Sequence, residues 1–208
     1  GETATVTLVF SEVVASFEAA DITADTGTLG TMTSSNNITW TGTFTPTADE
    51  EDAGNTLSLA TSYTDTAGNT GTAATTLNYE VDTLAPSVIS FTLSDTALKA
   101  GDNATVELVF SEAVASFSAA DINLDNATGT LPSMTSSDNI TWTGTFTPTA
   151  NREASNTLSL ATSYTDTAGN AGPSETTANY EVDTLAPSVS SFTLSDTALK
   201  AGDNATVE

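Results

Sequence analysis

The sequence repeats itself with a period of about 100 residues, and this repetition limits the folds open to it. Residues 4–12 recur with one substitution as residues 104–112, and residues 81–86 recur unchanged as residues 182–187. A fixed period is typical of tandem arrays in which each copy is one structural unit. We therefore expect successive copies of one small domain and not a single large core.

Two identical linkers, Asp-Thr-Leu-Ala-Pro, divide the chain into three parts. We assign residues 1–82 to a repeat that lacks its first strand and residues 83–183 to a complete repeat. Residues 184–208 are the start of a third repeat, with strand A and part of strand B. Because Gly1 falls inside a repeat, we expect the chain to be a piece of a longer protein.

Within each copy, apolar residues alternate with polar ones, as they do along half-buried strands. Val106, Leu108 and Phe110 share one face of a predicted strand, and Trp142 is in phase with the inward-facing residues of another. The predicted strands of the complete repeat cover residues 88–93, 104–111, 121–124, 140–147, 158–165 and 176–182. Short alternating strands separated by regular turns are typical of an immunoglobulin-like sandwich. The sequence therefore predicts an all-β chain of tandem immunoglobulin-like β-sandwiches, each of about seven strands.

The charge of the chain is strongly one-sided. It has 27 acidic residues against 3 basic ones and no His, which gives a formal net charge of −24 at pH 7. Nucleic acids and anionic membranes need Lys and Arg at the contact, so we expect neither as a partner. The absence of Cys excludes disulfides and thiolate chemistry. No apolar run is long enough to span a bilayer, so we expect no membrane insertion. The partners that this charge favours are cations.

Four carboxylates are predicted to meet at one end of the complete repeat. In an immunoglobulin-like sandwich, Glu112 after strand B, Asp121 in the B–C loop and Asp166 in the F–G loop lie at the same pole. The incoming linker adds Asp82, and the F–G loop also carries Asn170. Carboxylates held this close repel one another unless a cation neutralises them. Ca²⁺ prefers hard oxygen ligands on flexible loops, so we predict a Ca²⁺ site that stiffens the junction between neighbouring repeats.

The same reasoning gives candidate ligands elsewhere in the chain. They are Glu12, Asp21, Asp65 and Asn69 in the first repeat, Asp183 in the next linker, and Asp95 and Asp102 in the A–B loop at the opposite pole. Simpler interpretations stay open for each group. The Asp-Thr-Ala-Gly-Asn segments are good Asx turns without a metal, the glutamates could be solvated, and the linker aspartates could cap a turn before proline. The acidic run at residues 49–52, in the E–F loop, is expected near the next linker, which would make both sides of the junction acidic; it could also be only a solvated loop.

Several segments together resemble a known family. Residues 1–12, 17–22, 40–47, 65–69 and 81–86 are similar to the bacterial immunoglobulin-like repeats in the long extender regions of giant RTX adhesins, which include biofilm adhesins and an ice-binding bacterial adhesin. The resemblance covers the whole chain. It implies export by a type I secretion system, an extracellular location at a Gram-negative cell surface, and calcium-stiffened repeats that project a distal ligand-binding domain.

The resemblance also implies particular calcium ligands. Linker-region calcium would be held at the residues that match Asp82, Glu112, Asp121 and Asp183. The first repeat departs from the pattern because no linker precedes it. We therefore expect only partial ligation at Glu12 and its neighbours.

Three classes of function compete. Repetition without a distinct motif favours a mechanical extender, because nearly identical units supply length and not distinct sites. The alternative is a module that binds a glycan, ice or another protein directly, which would need exposed aromatic residues on one face. We do not expect an enzyme, since the acidic residues lie at loop poles and two short modules offer no evident cleft for a carboxylate pair to work in.

One further expectation concerns self-association. The first repeat lacks strand A, and the tail carries a spare copy of that strand. We expect the first repeat to expose the strand edges that strand A would cover. Residues 187–194 could fill that groove on a neighbouring molecule, which would give head-to-tail or strand-swapped association.

Overall fold

The structure is a computed structural model that describes residues 1–124 and 128–208. Regular structure in these residues is almost entirely β, with two single-turn 3₁₀ helices at Ala19–Asp21 and Ala119–Asp121. The strands form two successive modules, in agreement with tandem immunoglobulin-like domains. The predicted all-β fold class is confirmed.

The first module contains eight short strands. They are β1 (Ala4–Val9), β2 (Ile22–Ala24), β3 (Gly27–Leu29), β4 (Thr39–Pro46), β5 (Glu51–Asn55), β6 (Leu57–Leu59), β7 (Ala74–Thr75) and β8 (Tyr79–Asp82). One sheet has the order β1-β4-β3, and the remaining strands pair as β2-β6-β7 and β5-β8.

The second module repeats this arrangement and adds strands at its start. They are β9 (Val88–Leu93), β10 (Ala97–Lys99), β11 (Ala104–Phe110), β12 (Val114–Ala115), β13 (Ile122–Leu124), β14 (Gly129–Thr130), β15 (Thr141–Pro148), β16 (Glu153–Asn156), β17 (Leu158–Leu160), β18 (Thr165–Asp166), β19 (Glu175–Thr176) and β20 (Tyr180–Asp183). One sheet has the order β14-β15-β11-β9, the opposite layer contains β10-β20-β16 and β13-β17-β19, and β12 pairs with β18.

Alternation along the strands builds the core of the second module. Val106, Leu108 and Phe110 point inward from β11 and have no exposed surface. The Phe110 ring lies 4.9 Å from the ring of the fully buried Tyr164. Trp142 is half-buried and packs against this core, as the sequence predicted. Burial of this apolar surface is the main force that holds such a Cys-free module together.

Two predicted strands prove to be split. Residues 158–165 form β17, which pairs with β13, and then β18, which pairs with β12 in a different sheet. Residues 176–182 likewise pass from β19 to β20, in a different sheet. At this crossing the buried Thr177 hydroxyl accepts a hydrogen bond from the amide of Leu158. Period-2 alternation alone cannot show where a strand changes sheets.

The first module lacks the strands that correspond to β9 and β10. In the second module β9 pairs with one edge of β11, and β10 pairs in parallel with β20. Among the described residues, the matching edges of β1 and β8 have no such neighbour. Val6 is consequently half-buried, whereas its counterpart Val106 is fully buried.

The tail at residues 184–208 forms the beginning of a hairpin. Its ladder contains an isolated bridge between Leu194 and Val207 and reciprocal backbone hydrogen bonds of 3.0 and 3.1 Å between Thr193 and Glu208. Phe192 in this tail is 83% exposed. No helix among the described residues has the length and apolar character needed to cross a membrane.

Candidate metal centre between the repeats

The linker between the two modules is held to the first module by one threonine. The amide of Thr83 donates to the carbonyl of Glu50 at 2.8 Å, and its hydroxyl donates to the carbonyl of Thr47 at 2.7 Å. The hydroxyl also accepts a hydrogen bond of 3.0 Å from the amide of Glu50. Thr184 makes the same contacts after the second module. The linker therefore leaves each module in a defined direction.

On the second module, the F–G loop forms a turn around Asp166. One carboxylate oxygen accepts hydrogen bonds from the amides of Gly169 and Asn170, at 2.7 and 2.9 Å. Gly169 has a φ of +100°, which favours glycine because a Cβ would be strained there. Asp166 itself is only 1% exposed. The turn predicted from Asp-Thr-Ala-Gly-Asn is therefore present, with its carboxylate facing the linker.

Asn170 connects this turn to the linker. Its amide nitrogen Nδ2 donates to Asp166 Oδ2 at 2.8 Å and to Asp82 Oδ1 and the Asp82 carbonyl, both at 3.2 Å. The Leu84 carbonyl is a further acceptor at 3.3 Å. The Asn170 side chain thus contacts both modules. Its NH₂ group, which is partially positive, lies among carboxylate and carbonyl oxygens, which are negative.

Three carboxylates come together at this point, which we call the seam cluster: Asp82, Glu112 and Asp166. Each contributes one oxygen, and these oxygens lie within 4.8 Å of one another. Asp166 is buried and the other two are half-buried. Two unit charges at this distance repel by about 3 kcal/mol even at an effective dielectric constant of about 20. A bound cation would relieve this repulsion.

The charge environment is visible in the titration of Glu112. Burial raises the pKa of this carboxyl above its ordinary value, and the negative charges of Asp166, Asp82 and Glu51 raise it further. Glu51 belongs to the first module, where β5 pairs it with Asp82. Both modules therefore contribute negative charge to the same junction.

The residues of the seam cluster fit a hard divalent cation. The cluster offers carboxylate oxygens. Beside it lie the Asn170 side chain, which also carries an amide oxygen, and the backbone carbonyls of Asp82 and Leu84. Ca²⁺ takes six to eight such oxygen ligands in flexible geometry. The chain has neither Cys nor His, the ligands that softer transition metals prefer. Of the predicted ligands, the structure brings Asp82, Glu112, Asp166 and Asn170 together.

Asp121 lies in the same part of the fold but is not in the seam cluster. Its carboxylate caps the 3₁₀ helix by accepting from the Ser118 amide at 2.8 Å and also bonds the Ser163 hydroxyl. Asp21 has the same two kinds of partner, Glu18 and Ser62. The cap three residues away gives the Asp121 carboxylate a local partner, and its convergence with the other acids stays a prediction.

The first repeat contains the same turn without a linker against it. Asp65 accepts from the amides of Ala67 and Asn69, both at 2.8 Å, and from the Asn69 side chain at 2.6 Å. These hydrogen bonds lower the pKa of Asp65, and the hydrogen bond from the Asn69 side chain lowers it most. Glu12 is exposed. The Asx turn is therefore complete by itself, and the contact with the linker is a separate feature of the seam.

The remaining candidates have local partners. Asp95 accepts from the Ala97 amide at 2.9 Å, and Asp102 forms an ion pair with Lys99 at 3.1 Å. The hydrogen bond from the Lys99 amide and the Lys99 charge hold the pKa of Asp102 below its ordinary value. Asp183 is exposed and accepts from the Leu185 amide. The described residues after it contain no counterpart of Glu112 or Asp166.

Sequence reasoning missed part of the seam. The acidic run at residues 49–52 was expected near the linker but as a loop, whereas Glu51 begins strand β5 and pairs with Asp82. Thr83 was not predicted to hold the linker. A threonine at the same position of both linkers is a pattern that could have identified it.

The two tryptophans do not form an exposed binding face. Trp40 and Trp142 are half-buried, and each packs edge-to-face against a core phenylalanine, with ring centroids 5.1 Å from Phe17 and 4.9 Å from Phe117. They belong to the cores of the two modules. A direct glycan- or ice-binding module therefore gains no support from these two residues.

Comparison with known proteins places the chain in a family. The family model described as "Bacterial Ig-like domain" matches residues 1–81 and again residues 82–182. No curated protein matches the sequence. Two solved structures match the chain at low TM-scores. The first is the Escherichia coli adhesin FdeC, at 16% identity and a TM-score of 0.35, with 92% of this chain and 61% of that chain covered. The second is an endo-fucoidan hydrolase of glycoside hydrolase family 107, at 18% identity and a TM-score of 0.29, with 89% of this chain and 26% of that chain covered.

The chain thus spans less than two thirds of either solved structure. The family assignment rests on two consecutive matches of the family model, which together cover most of the 208 residues. The two matches meet at the linker described above. This chain belongs to the bacterial Ig-like domain family.

Proposed function

We propose that this chain is a calcium-stiffened extender segment of a bacterial cell-surface adhesin, which projects a distal binding domain away from the cell. The observation that carries the proposal is the seam cluster. It joins a linker aspartate to two loops of the next module, at a distance where three carboxylates repel strongly. A divalent cation bound there would tie the two modules together.

The repetition of the chain supports an extending role. Two nearly identical modules in a row provide reach without separate functional sites. The linker is short and each of its ends is hydrogen-bonded to a module, through Thr83 on one side and Asn170 on the other. Neutralising the seam cluster would remove the main force that pushes the modules apart.

Bacterial location and secretion form part of the proposal. Membership of the bacterial Ig-like family and the resemblance to RTX adhesin extenders favour export by type I secretion to a Gram-negative surface. Extracellular calcium is abundant enough to occupy weak sites, with dissociation constants of roughly 10⁻⁴–10⁻³ M. Such sites would order the repeats only after export.

Small-angle scattering and calorimetry in calcium and in EGTA test the proposal. At about 100 times its dissociation constant, a bound cation stabilises the folded state by about 2.7 kcal/mol. This corresponds to a rise in melting temperature of roughly 10 °C for a module of this size. We expect calcium also to lengthen and narrow the distribution of interatomic distances.

Matched variants separate the seam from general charge screening. Glu112→Gln removes one charge at the seam, and Glu12→Gln removes the corresponding exposed charge of the first repeat. We expect the first variant to lose most of the calcium effect and the second to keep it. Identical scattering and melting in calcium and EGTA for the wild-type chain would contradict the stiffening role.

A further inference from the structure

The sequence contains the triplet Asn-x-Thr, whose asparagine accepts N-linked sugars on surface loops of exported proteins when x is not proline. The asparagines of these triplets are Asn37, Asn103, Asn126, Asn139 and Asn204. One triplet stands at the same place in both modules. It is Asn37-Ile38-Thr39 in the first module and Asn139-Ile140-Thr141 in the second.

This triplet begins in a tight turn that other side chains hold together. The Ser34 hydroxyl accepts a hydrogen bond from the Asn37 amide at 2.8 Å. Asn36 Oδ1 accepts from the Thr39 amide at 2.9 Å. The residues at the same places in the second module make the equivalent contacts, at 2.8 and 2.9 Å. The turn is therefore closed without the side chain of the triplet asparagine.

Asn37 and Asn139 are exposed in these turns. Their φ angles are +57° and +59°, in the left-handed region that asparagine and aspartate tolerate better than most residues. Among the described residues, neither asparagine side chain has a hydrogen-bond partner. The backbone conformation alone would be satisfied by aspartate. An exposed amide nitrogen without a partner is, in addition, what an enzyme that attaches a sugar requires.

A shallow groove beside the first of these turns offers a polar surface to an attached sugar. Its volume is about 470 Å³, within the range of roughly 300–1,000 Å³ that is usual for small-molecule sites. Five hydroxyl-bearing residues and one asparagine line it: Thr33, Ser34, Ser35, Asn36, Thr39 and Thr41. Each hydroxyl both donates and accepts, so such a lining matches the hydroxyl groups of a sugar ring.

Both turns lie at the same pole of their modules. The Asn139 carbonyl accepts from the amide of Val114 at 2.9 Å, and Val114 pairs with Asp166 of the seam cluster. The Asn37 carbonyl accepts from the amide of Val14 at 3.0 Å in the same way. Sugars on the two asparagines would therefore recur once in each module, at the pole that in the second module faces the linker.

We propose that Asn37 and Asn139 are acceptor sites for an N-linked sugar. The donor is a glycosyl diphosphate, in which C1 of the sugar is bonded to a phosphate oxygen. The asparagine Nδ2 attacks C1, so that the Nδ2–C1 bond forms and the C1–O bond breaks. The diphosphate leaves with the electron pair of that bond, and Nδ2 gives one proton to a base of the transferase. This modification goes beyond the extender role and does not depend on calcium.

Peptide mass spectrometry of the protein isolated from the bacterium that makes it tests the proposal. Electron-transfer fragmentation assigns an attached sugar to a single residue, and we expect it on Asn37 and Asn139. A single hexose would identify a nucleotide-linked donor, and a longer oligosaccharide a lipid-linked one. Peptides that are unmodified at both asparagines would overturn the proposal.

Variants made in the same bacterium test which atom carries the sugar. Asn37→Asp removes the amide nitrogen but keeps a residue that tolerates the left-handed turn, so the first module should lose its sugar completely. Asn139 in the same chain should keep its own, which shows that the chain reached the transferase.

Two further comparisons separate the triplet from the turn. Thr39→Ala should abolish the modification of Asn37, and Thr39→Ser should retain it. Asn36→Asp is the matched control, because the second module already has Asp138 at this place, and it should leave the sugar unchanged. A sugar that survives Asn37→Asp would lie on a neighbouring hydroxyl and would overturn the assignment.

Discussion

Asp65 and Asp166 occupy the same five-residue turn in two different surroundings. Both accept amide hydrogen bonds within the turn, and each has an asparagine four residues later. Only Asn170 reaches beyond its own turn, to Asp82 and the Leu84 carbonyl. The chain thus contains an internal control for the seam: an identical turn without the linker.

The first prediction concerns this difference. In EGTA, Asn170→Ala should lower the free energy of unfolding by about 1–2 kcal/mol, because it removes hydrogen bonds to the linker and leaves carboxylates without a donor. Asn69→Ala removes only the local contact and should cost less. Differential scanning calorimetry of both variants measures the two losses. Equal losses would mean that the linker contacts contribute nothing.

The second prediction concerns alkaline pH. Burial, with the charge of Glu175, raises the pKa of Tyr164 to about 12, and its hydroxyl donates to the Pro173 carbonyl at 2.8 Å. The unfolded chain loses this proton near pH 10, which is the ordinary tyrosine value. Between about pH 10 and 12 the folded state binds more protons than the unfolded state, so stability falls as pH rises.

Urea denaturation across this pH range measures the effect. The Tyr164→Phe variant keeps the ring but has no phenolic proton, so its stability should decline less steeply than that of the wild type. Parallel declines in the two proteins would show that Tyr164 does not contribute to the pH dependence.

At the scale of strands, β1 and β11 show what strand A contributes. Their sequences are nearly the same, but Leu108 is fully buried and Leu8 is only half-buried. The difference arises because β9 covers one edge of β11 and packs Phe91 against it. Burial in this fold is thus set by the neighbouring strand as much as by the alternation of the strand itself.

The third prediction follows from these edges. Backbone amides of β1 and β8 should exchange with solvent faster than those of β11 and β20, whose edges are paired with β9 and β10. Hydrogen exchange with mass spectrometry resolves the matched peptides. Equal protection of the two modules would contradict the view that the first repeat is open along these edges.

The same elements show how far sequence reasoning extends. Alternation predicts β9 and β11 well, because each lies in one sheet along its whole length. It does not predict the division between β17 and β18, where the chain changes partners. The topology of the fold correctly brings Glu112 and Asp166 to one pole. Charge patterning did not predict that Asp121 caps a 3₁₀ helix by accepting from the Ser118 amide, because that contact depends on local backbone geometry.

At the scale of the whole molecule, the chain is a series of like modules whose junction concentrates negative charge. The carboxylates of the seam cluster come from the linker and from two loops of the following module, and Glu51 of the preceding module adds to their field. We therefore predict that the junction responds to cations and that its stiffness follows calcium binding at the seam.

A calcium titration followed by calorimetry tests this claim most directly, with the wild-type chain compared with Asp82→Ala and Asp65→Ala. We predict a binding event with a dissociation constant of roughly 10⁻⁴–10⁻³ M in the wild type. Asp65→Ala should retain this event, and Asp82→Ala should lose it. Unchanged binding in Asp82→Ala, or no binding heat in the wild type, would contradict the assignment of calcium to the seam cluster.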